Sequence, residues 1–244
     1  MTWYPPSPVE PACGTGGLLL SNPPFSTTMT PTPPPGRFIA VEGIDGSGKT
    51  TLCRALADWL PTSGLMPPGA ELVVTREPGG TPLGQEIRRL LLDPPDGAAP
   101  CHSAELLLYI ADRAQHVETV ILPALEAGHW VLTDRFSGST VAYQGFGRGW
   151  SDNRLSDLGW FAAGMLAPNP TLWLDLPLAE SLRRRGHRPG DRIEANGEAF
   201  LARVAHGFDH LACQPNWTRL DATQPPDQVL TAARHALIKR FGAP

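Results

Sequence analysis

Arg37–Leu60, RFIAVEGIDGSGKTTLCRALADWL, passes without a break from an apolar run through a glycine-rich loop into an amphipathic stretch, and that order decides the fold. Phe38 to Val41 are apolar and partly β-branched, as suits a central parallel strand buried on both faces. Gly43, Gly48, Lys49 and Thr50 then fit GxxxxGK[ST]. In such a loop the glycines let backbone N–H groups curl around phosphate oxygens, the lysine neutralises the outer phosphates, and the hydroxyl ligates a divalent cation. The helix that follows points its partial positive end at the same anion. The candidate phosphate grip is therefore Gly43, Ile44, Asp45, Gly46, Ser47, Gly48, Lys49, Thr50 and Thr51. A strand-to-helix turn that merely needs glycine is the bland alternative, and the flanking strand and helix argue against it.

With 244 residues the chain is long enough for one α/β domain with a large core. A net charge of −4 gives no general attraction to nucleic acid, so small-molecule partners are expected and any basic cluster reads as a local site. Cys13, Cys53, Cys101 and Cys213 are scattered and form no CxxC pair, which suggests neither a zinc site nor a disulfide framework. They fit a reducing cytoplasm. No apolar run approaches the roughly 18 residues of a membrane span, and residues 1–36 hold no Lys or Arg to begin an export signal. A soluble, cytoplasmic, unexported protein is expected.

Residues 1–36 are a different material: they contain ten of the 27 prolines and one charge, Glu10. We expect a disordered, partly polyproline-II tail there, followed by one domain over 37–244. A PxxP docking motif and a translation start at Met29 are the alternatives for this segment.

Beyond Arg37, apolar strand runs alternate with longer helical patterns, which predicts a three-layer α/β/α P-loop NTPase-type fold around a five-stranded parallel sheet. The strands are expected at Phe38–Glu42, Leu72–Thr75, Trp130–Thr133, Leu172–Asp175 and Thr218–Asp221. Helices are expected at Lys49–Leu60, Leu83–Leu92, Ala104–Ala127, Asp152–Leu166, Leu178–Arg184, Glu198–Ala212 and Pro226–Arg240, with Gly128 stopping the longest. In an open sheet of this kind the chemistry lies beyond the carboxyl ends of the strands.

Several polar residues fall there. Arg76, Glu77 and Pro78 follow the second strand and Arg88 lies just beyond; alone, this reads as a Pro-Gly turn with solvated arginines. Asp134 and Arg135 follow the third strand, where a carboxylate in a P-loop fold commonly holds Mg²⁺ or its water. Tyr109 and Arg113 share a helical face, fit either to stack and hydrogen-bond a base or to serve as a core tyrosine beside a surface pairing of Arg113 with Asp112 or Glu105. Thr140, Tyr143 and Gln144 repeat the device past Arg135. Arg183, Arg184, Arg185, His187, Arg188 and Arg192 crowd a stretch broken by Gly186, Pro189 and Gly190. A solvated helix end is one reading, and an arginine-rich lid over about 183–195 that closes on a triphosphate is the other.

With these residues in view, the chain from Arg37 to the last helix resembles the thymidylate kinase family of P-loop nucleoside monophosphate kinases. The carrying motifs are EGIDGSGKTT at 42–51, TREPGGT at 75–81, DRF with SxxAYQGFGRG between 134 and 149, DRIE at 191–194 and DATQP at 221–225. The resemblance implies ATP- and Mg²⁺-dependent phosphorylation of dTMP to dTDP, with ATP on the glycine-rich loop and DATQP along its adenine. It implies that Asp45 accepts from the 3′-hydroxyl of dTMP and that Arg88 and Arg135 hold its phosphate. Tyr109 would stack on thymine, Arg113, Thr140 and Gln144 would bond its edge, and Tyr143 would crowd the 2′ carbon. Glu77 and Asp134 would orient the metal and acceptor phosphate, with Thr50 and Asp134 as the metal residues and a cis bond before Pro78. Gly46 stands where some members carry a loop arginine, so Lys49 and Arg135 would be joined in catalysis by a lid arginine: Arg185, Arg188 or Arg192, with Arg192 the safest motif match. Phe136 departs from the tyrosine or histidine common there, so packing is expected to survive without the hydroxyl. A homodimer is also implied, with no interface patch assigned. The rivals are a kinase for another pyrimidine nucleotide or a deoxynucleoside, and a P-loop switch without an acceptor.

Overall fold

The computed structural model describes residues 36–96, 98–186 and 191–242. All but Gly36 of the expected tail lies outside these residues, as does the middle of the expected lid, including His187 and Arg188.

Five parallel strands, β1 (Arg37–Glu42), β2 (Leu72–Arg76), β3 (Trp130–Asp134), β4 (Thr171–Asp175) and β5 (Trp217–Asp221), form one sheet in the order β2-β3-β1-β4-β5. Each agrees with its expected span to within a residue at either end. The three inner strands are buried almost throughout, which is why they read as unbroken apolar runs rather than as alternation. Successive side chains of β1 go to opposite faces: Ile39 and Val41 join a larger core, Phe38 and Ala40 a smaller one. Truncating one such side chain, as in Ile39→Ala, costs ~2–5 kcal/mol.

The helices are α1 (Lys49–Trp59), α2 (Pro82–Leu92), α3 (His102–His116), α4 (Leu122–Glu126), α5 (Ser137–Thr140), α6 (Asp152–Ala163), α7 (Leu178–Arg185), α8 (Glu198–Leu211) and α9 (Pro226–Phe241). Thr81 caps α2, its hydroxyl accepting from Gly84 N at 2.9 Å, with Pro82 in the first turn where its missing N–H costs nothing.

Two departures from the expected elements have local causes. The helix expected over 104–127 is α3 and α4 joined by a π-helical run at Val117–Ile121. Pro123 cannot donate to the carbonyl four residues before it, and the widened turns accommodate that loss. The helix expected to reach Leu166 stops at Ala163 because Gly164, at φ 57°, ends it. The segment after Arg135 is α5 followed by a second π run, Val141–Gly147. Gly128 ends α4 at φ 80°, as expected.

Sheet order and register position the site. Val41 and Arg76 both pair with Asp134, so the tips of β1, β3 and β2 open side by side, although they are separated by dozens of residues in the chain. The loop after β1, the Asp134–Arg135 pair and the 76–81 turn are brought together by this register alone.

Candidate active site

The loop after β1 folds as its glycines demand. Gly43, Gly46 and Gly48 have φ of 145°, 78° and 98°, and a side chain at Gly43 would meet Leu174 O at 2.7 Å. Lys49 Nζ donates to Ile44 O at 2.9 Å and lies 3.9 Å from Asp45. Burial and the neighbouring Arg135 charge push the Lys49 ammonium below its usual range. Thr50 Oγ1 donates to Asp134 Oδ2 at 2.8 Å across the tips of β1 and β3. Hydroxyl and carboxylate are hard oxygen donors beside a phosphate loop, a set that fits Mg²⁺, which keeps waters and phosphate oxygens for its remaining positions. Among the described residues no cluster of three or more His, Cys, Asp or Glu offers an all-protein cage.

Arg135 is the hub of the polar contacts at the tip of β3. Its φ of 74° makes it the one non-glycine residue with positive φ among those described, a conformation that costs any residue with a Cβ steric energy. Its guanidinium donates to Gly43 O (3.1 Å), Ser139 Oγ (2.9 Å) and Asp45 Oδ1, and lies over the Tyr143 ring. Tyr143 donates to Asp45 Oδ2 at 2.7 Å. Burial alone would raise the Asp45 carboxyl, but Arg135, Lys49 and the Tyr143 hydroxyl more than offset it and hold the acid well below its usual range. Glu42, at the end of β1, accepts from Phe136 N and Ser139 N and takes the Ser139 hydroxyl at 2.6 Å.

Beneath the 76–81 turn runs a buried polar network. Glu77 accepts two bonds from Arg113, at 3.0 and 2.9 Å, and faces His116 Nδ1 at 3.0 Å, while His116 Nε2 meets Thr75 Oγ1 at 2.6 Å. Arg113 is thus buried and bound to Glu77, which overturns the surface pairing with Asp112 or Glu105 as the bland reading of that residue. Asp112 Oδ1 accepts from Gly79 N at 3.0 Å, and burial followed by the nearby Glu77 charge raises its carboxyl to about 6. The Glu77–Pro78 bond is cis.

One pocket is lined by Asp45, Glu77, Arg88, Tyr109, Arg113, Arg135, Thr140, Tyr143 and Gln144, which are all nine residues expected on the acceptor side. It opens beside a basin of about 490 Å³ containing Lys49, Thr50, Asp134, Arg76, Arg88, Arg135, Arg184 and Arg185, a size typical of ligand sites at roughly 300–1,000 Å³. A further cavity of about 330 Å³ lies on the far side of the loop, between Ser47, Gly48 and Thr51 and the Ala222, Gln224 and Pro226 turn. Phe136 is buried edge-on against Phe38 with Arg113 over its ring, so packing replaces any hydroxyl contact.

The lid arginines divide. Arg185 lies over Gly46, where a side chain would meet its Cγ at 3.4 Å and Ser181 O at 3.2 Å, and it pairs with Glu194 at 3.4 Å. Arg192 is drawn elsewhere: it donates to Leu91 O at 2.7 Å and to Glu105 Oε2 at 2.7 Å, and it does not line the basin. Glu105 is fully buried and also takes Arg148 and Gln144. Burial pushes its carboxyl up, and the Arg148 and Arg192 bonds pull it below the usual range. Arg188 lies outside the described residues.

Residues that sequence reasoning did not assign to the site are Arg76 and Arg184 in the basin, Ser139 and Glu42 behind Arg135, and Glu105 under Gln144. Arg76 had a signal, since it directly follows the strand expected at Leu72–Thr75. Glu105 had none, because a fully buried carboxylate looks like any acid in the first turn of a helix until its arginines arrive from 43 and 87 residues away.

A strand, glycine-rich loop and helix facing a second arginine cluster across one basin define a P-loop nucleotide-binding α/β protein. The chain belongs to the thymidylate kinase family: the family's sequence pattern, described as Thymidylate kinase, matches residues 41–233. Thymidylate kinase of Synechococcus sp. (strain WH7803) is 61% identical over 202 residues, covering 83% of this chain and 95% of the relative. That of Synechococcus sp. (strain RCC307) is 57% identical over 200 residues, covering 82% and 94%. Among solved structures, a crystal structure of thymidylate kinase from Ehrlichia chaffeensis aligns with a TM-score of 0.67 at 31% identity, covering 84% of this chain and 99% of that one.

Proposed function

We propose that this chain transfers the γ-phosphoryl group of ATP to dTMP, giving dTDP and ADP. The observation that carries the reading is the second cationic cluster, Arg88 and Arg135, set across the basin from Lys49 and next to a pocket lined by Tyr109, Arg113, Thr140 and Gln144. A nucleotide switch with one bound nucleotide has no use for it. Binding of ATP with no acceptor among the monophosphates would revive that rival reading.

The acceptor oxygen is already anionic at neutral pH, so no general base is required, and the chain acts by positioning and charge neutralisation. Lys49 and the loop N–H groups hold the donor phosphates, and the cavity beside Ala222 and Gln224 takes adenine. Arg88 and Arg135 seat the acceptor phosphate, Asp45 faces the sugar 3′-hydroxyl, and Tyr143 stands against the 2′ carbon. Tyr109 stacks on the base, whose edge meets Arg113, Thr140 and Gln144. Glu77 acts through Arg113, which it fixes. Thr50 and Asp134 would hold Mg²⁺, which supplies charge neutralisation on the donor phosphates. Of the lid arginines, Arg185 is favoured to reach the transferring group because it lines the basin above side-chain-less Gly46, whereas Arg192 is engaged by Glu105.

An ADP-release screen over dTMP, dUMP, dCMP, dGMP, UMP and AMP with ATP and Mg²⁺ tests the reading; dTMP is expected to be turned over best. Preference for another monophosphate would replace it.

The chain is further proposed to act in the cytoplasm as a homodimer. No described helix is long and apolar enough to cross a membrane, and the described cysteines are free thiols. Trp160, Phe161 and Met165, at 67%, 78% and 91% exposure near the end of α6, supply an apolar face for a second copy. Sedimentation equilibrium is expected to give twice the chain mass, and a monomer at all concentrations would refute the dimer.

A further inference from the structure

We propose that Glu42 is a positioning residue for Arg135, acting through the Ser139 hydroxyl; the proposal rests on the reading that Arg135 seats the acceptor phosphate. Glu42 closes β1 just before the phosphate loop. Its side chain turns to the tip of β3 and satisfies three donors there: Phe136 N at 2.9 Å, Ser139 N at 3.0 Å and Ser139 Oγ–H at 2.6 Å. The first of these is the N–H immediately after Arg135, the residue held at φ 74°. The other two fix Ser139, which accepts from Arg135 Nη1 at 2.9 Å.

The polarity of this chain of bonds is set by chemistry. A carboxylate only accepts and a guanidinium only donates. With Glu42 ionised, the Ser139 hydroxyl between them gives its proton to Glu42 and turns a lone pair to Arg135. Burial raises the Glu42 carboxyl, and the Ser139 bond, the Arg135 charge and the two backbone N–H bonds oppose that rise. Glu42 is 1% exposed, so no solvent competes for it. The carboxylate thus holds the left-handed backbone from one side and aims the guanidinium from the other, between Gly43 O and Asp45. Strand β1 in this way sets both phosphate sites: its loop builds the donor site, and its last side chain aims the acceptor arginine.

Glu42→Gln tests the polarity at constant size. An amide NH₂ facing Ser139 donates to the hydroxyl, whose proton then has no acceptor, because Arg135 offers none. Ser139→Ala removes the relay atom and Ser139→Thr restores it. Loss of one hydrogen bond to a charged group predicts that Glu42→Gln and Ser139→Ala each raise the KM for dTMP roughly tenfold or more. The KM for ATP is expected to stay put, Ser139→Thr to recover most of the loss, and the double variant Glu42→Gln/Ser139→Ala to be no worse than the weaker single, as links in one chain are not additive. An unchanged KM for dTMP in folded variants would overturn the proposal. So would a rise shared equally with ATP and not recovered by Ser139→Thr, which marks a merely structural role. If Glu42→Gln fails to fold, the Ser139 pair decides alone. Nitrogen NMR of the Arg135 guanidinium separates this inference from the proposed function. If the unaltered protein does not phosphorylate dTMP, the functional reading fails, while loss of the fixed Arg135 Nη signal in Ser139→Ala and its return in Ser139→Thr still support the relay. No change in that signal would overturn it.

Discussion

Residues 43–50, through Lys49, and the arginine-rich stretch, through Arg184 and Arg185, present cationic side chains to the same basin, but the two stretches are held in different ways. The loop closes on itself: Lys49 bonds Ile44 O five residues back, and three glycines supply the backbone angles. In the arginine-rich stretch Glu180 is a local partner for Arg183 and Arg184, but two of the described arginines are tied from far along the chain. Arg192 is fixed by Leu91 O and Glu105, and Arg184 by Ala222 O. A site made of local bonds is written in consecutive residues, whereas a site made of distant ones assigns its roles only when the partners arrive. Arg192 carries the clearer motif, but Arg185 carries the position over Gly46.

Substitutions separate the two kinds of site. Arg135→Ala is expected to lower turnover by ~10³ with the fold retained, since an arginine stabilising a transferring phosphoryl group is worth that much; near-normal ADP release would refute its role. Arg185→Ala is expected to lower kcat by roughly 10² or more with little change in the KM for dTMP, and by more than Arg192→Ala does. The reverse order would return the reaching role to Arg192 and erase the distinction drawn between them. Glu105→Ala leaves the buried Arg148 and the lid arginine Arg192 without their shared carboxylate. It is expected to cost ~3–5 kcal/mol in denaturant unfolding, the usual loss when one partner of a buried ion pair is removed. Arg113→Ala is expected to relax discrimination between dTMP and dUMP and to loosen Glu77; unchanged handling of both would sink the edge assignment.

The smallest effect is in pH. Burial raises the Asp112 carboxyl from 3.8 to about 6, so the folded state binds its proton more tightly than the unfolded chain does. This contribution to stability is complete below the unfolded value and is lost as pH rises through about 6. Asp112→Asn is expected to remove about 1–3 kcal/mol of pH dependence between pH 4 and 6.5, read from unfolding midpoints. Identical profiles would show that Asp112 does not titrate there.

The sequence carried the fold further than it carried the site. All five strands lay within a residue of their expected ends, because the inner ones are buried on both faces and admit few polar residues. Apart from shifts of one or two residues at their ends, the helices departed from expectation where Pro123 and Gly164 interrupt them. The nine residues expected on the acceptor side all line one pocket. Their couplings were not legible. Nothing near Glu77 in the chain announces Arg113 and His116 as its partners, 36 and 39 residues on.

Glycine spacing, a buried strand and a following helix were enough to specify the phosphate loop, because its backbone angles and the Lys49 bond to Ile44 O lie within a few residues, although Arg135, Tyr143 and Ser181 reach it from far along the chain. Tertiary structure alone determined which charged side chain holds which. The register that sets Val41 and Arg76 beside Asp134 brought Thr50 to Asp134 and Glu42 to Ser139. Buried ion pairs such as Glu105 with Arg148 and Arg192 form wherever the fold leaves a charge without water, and sequence distance places no limit on the partner.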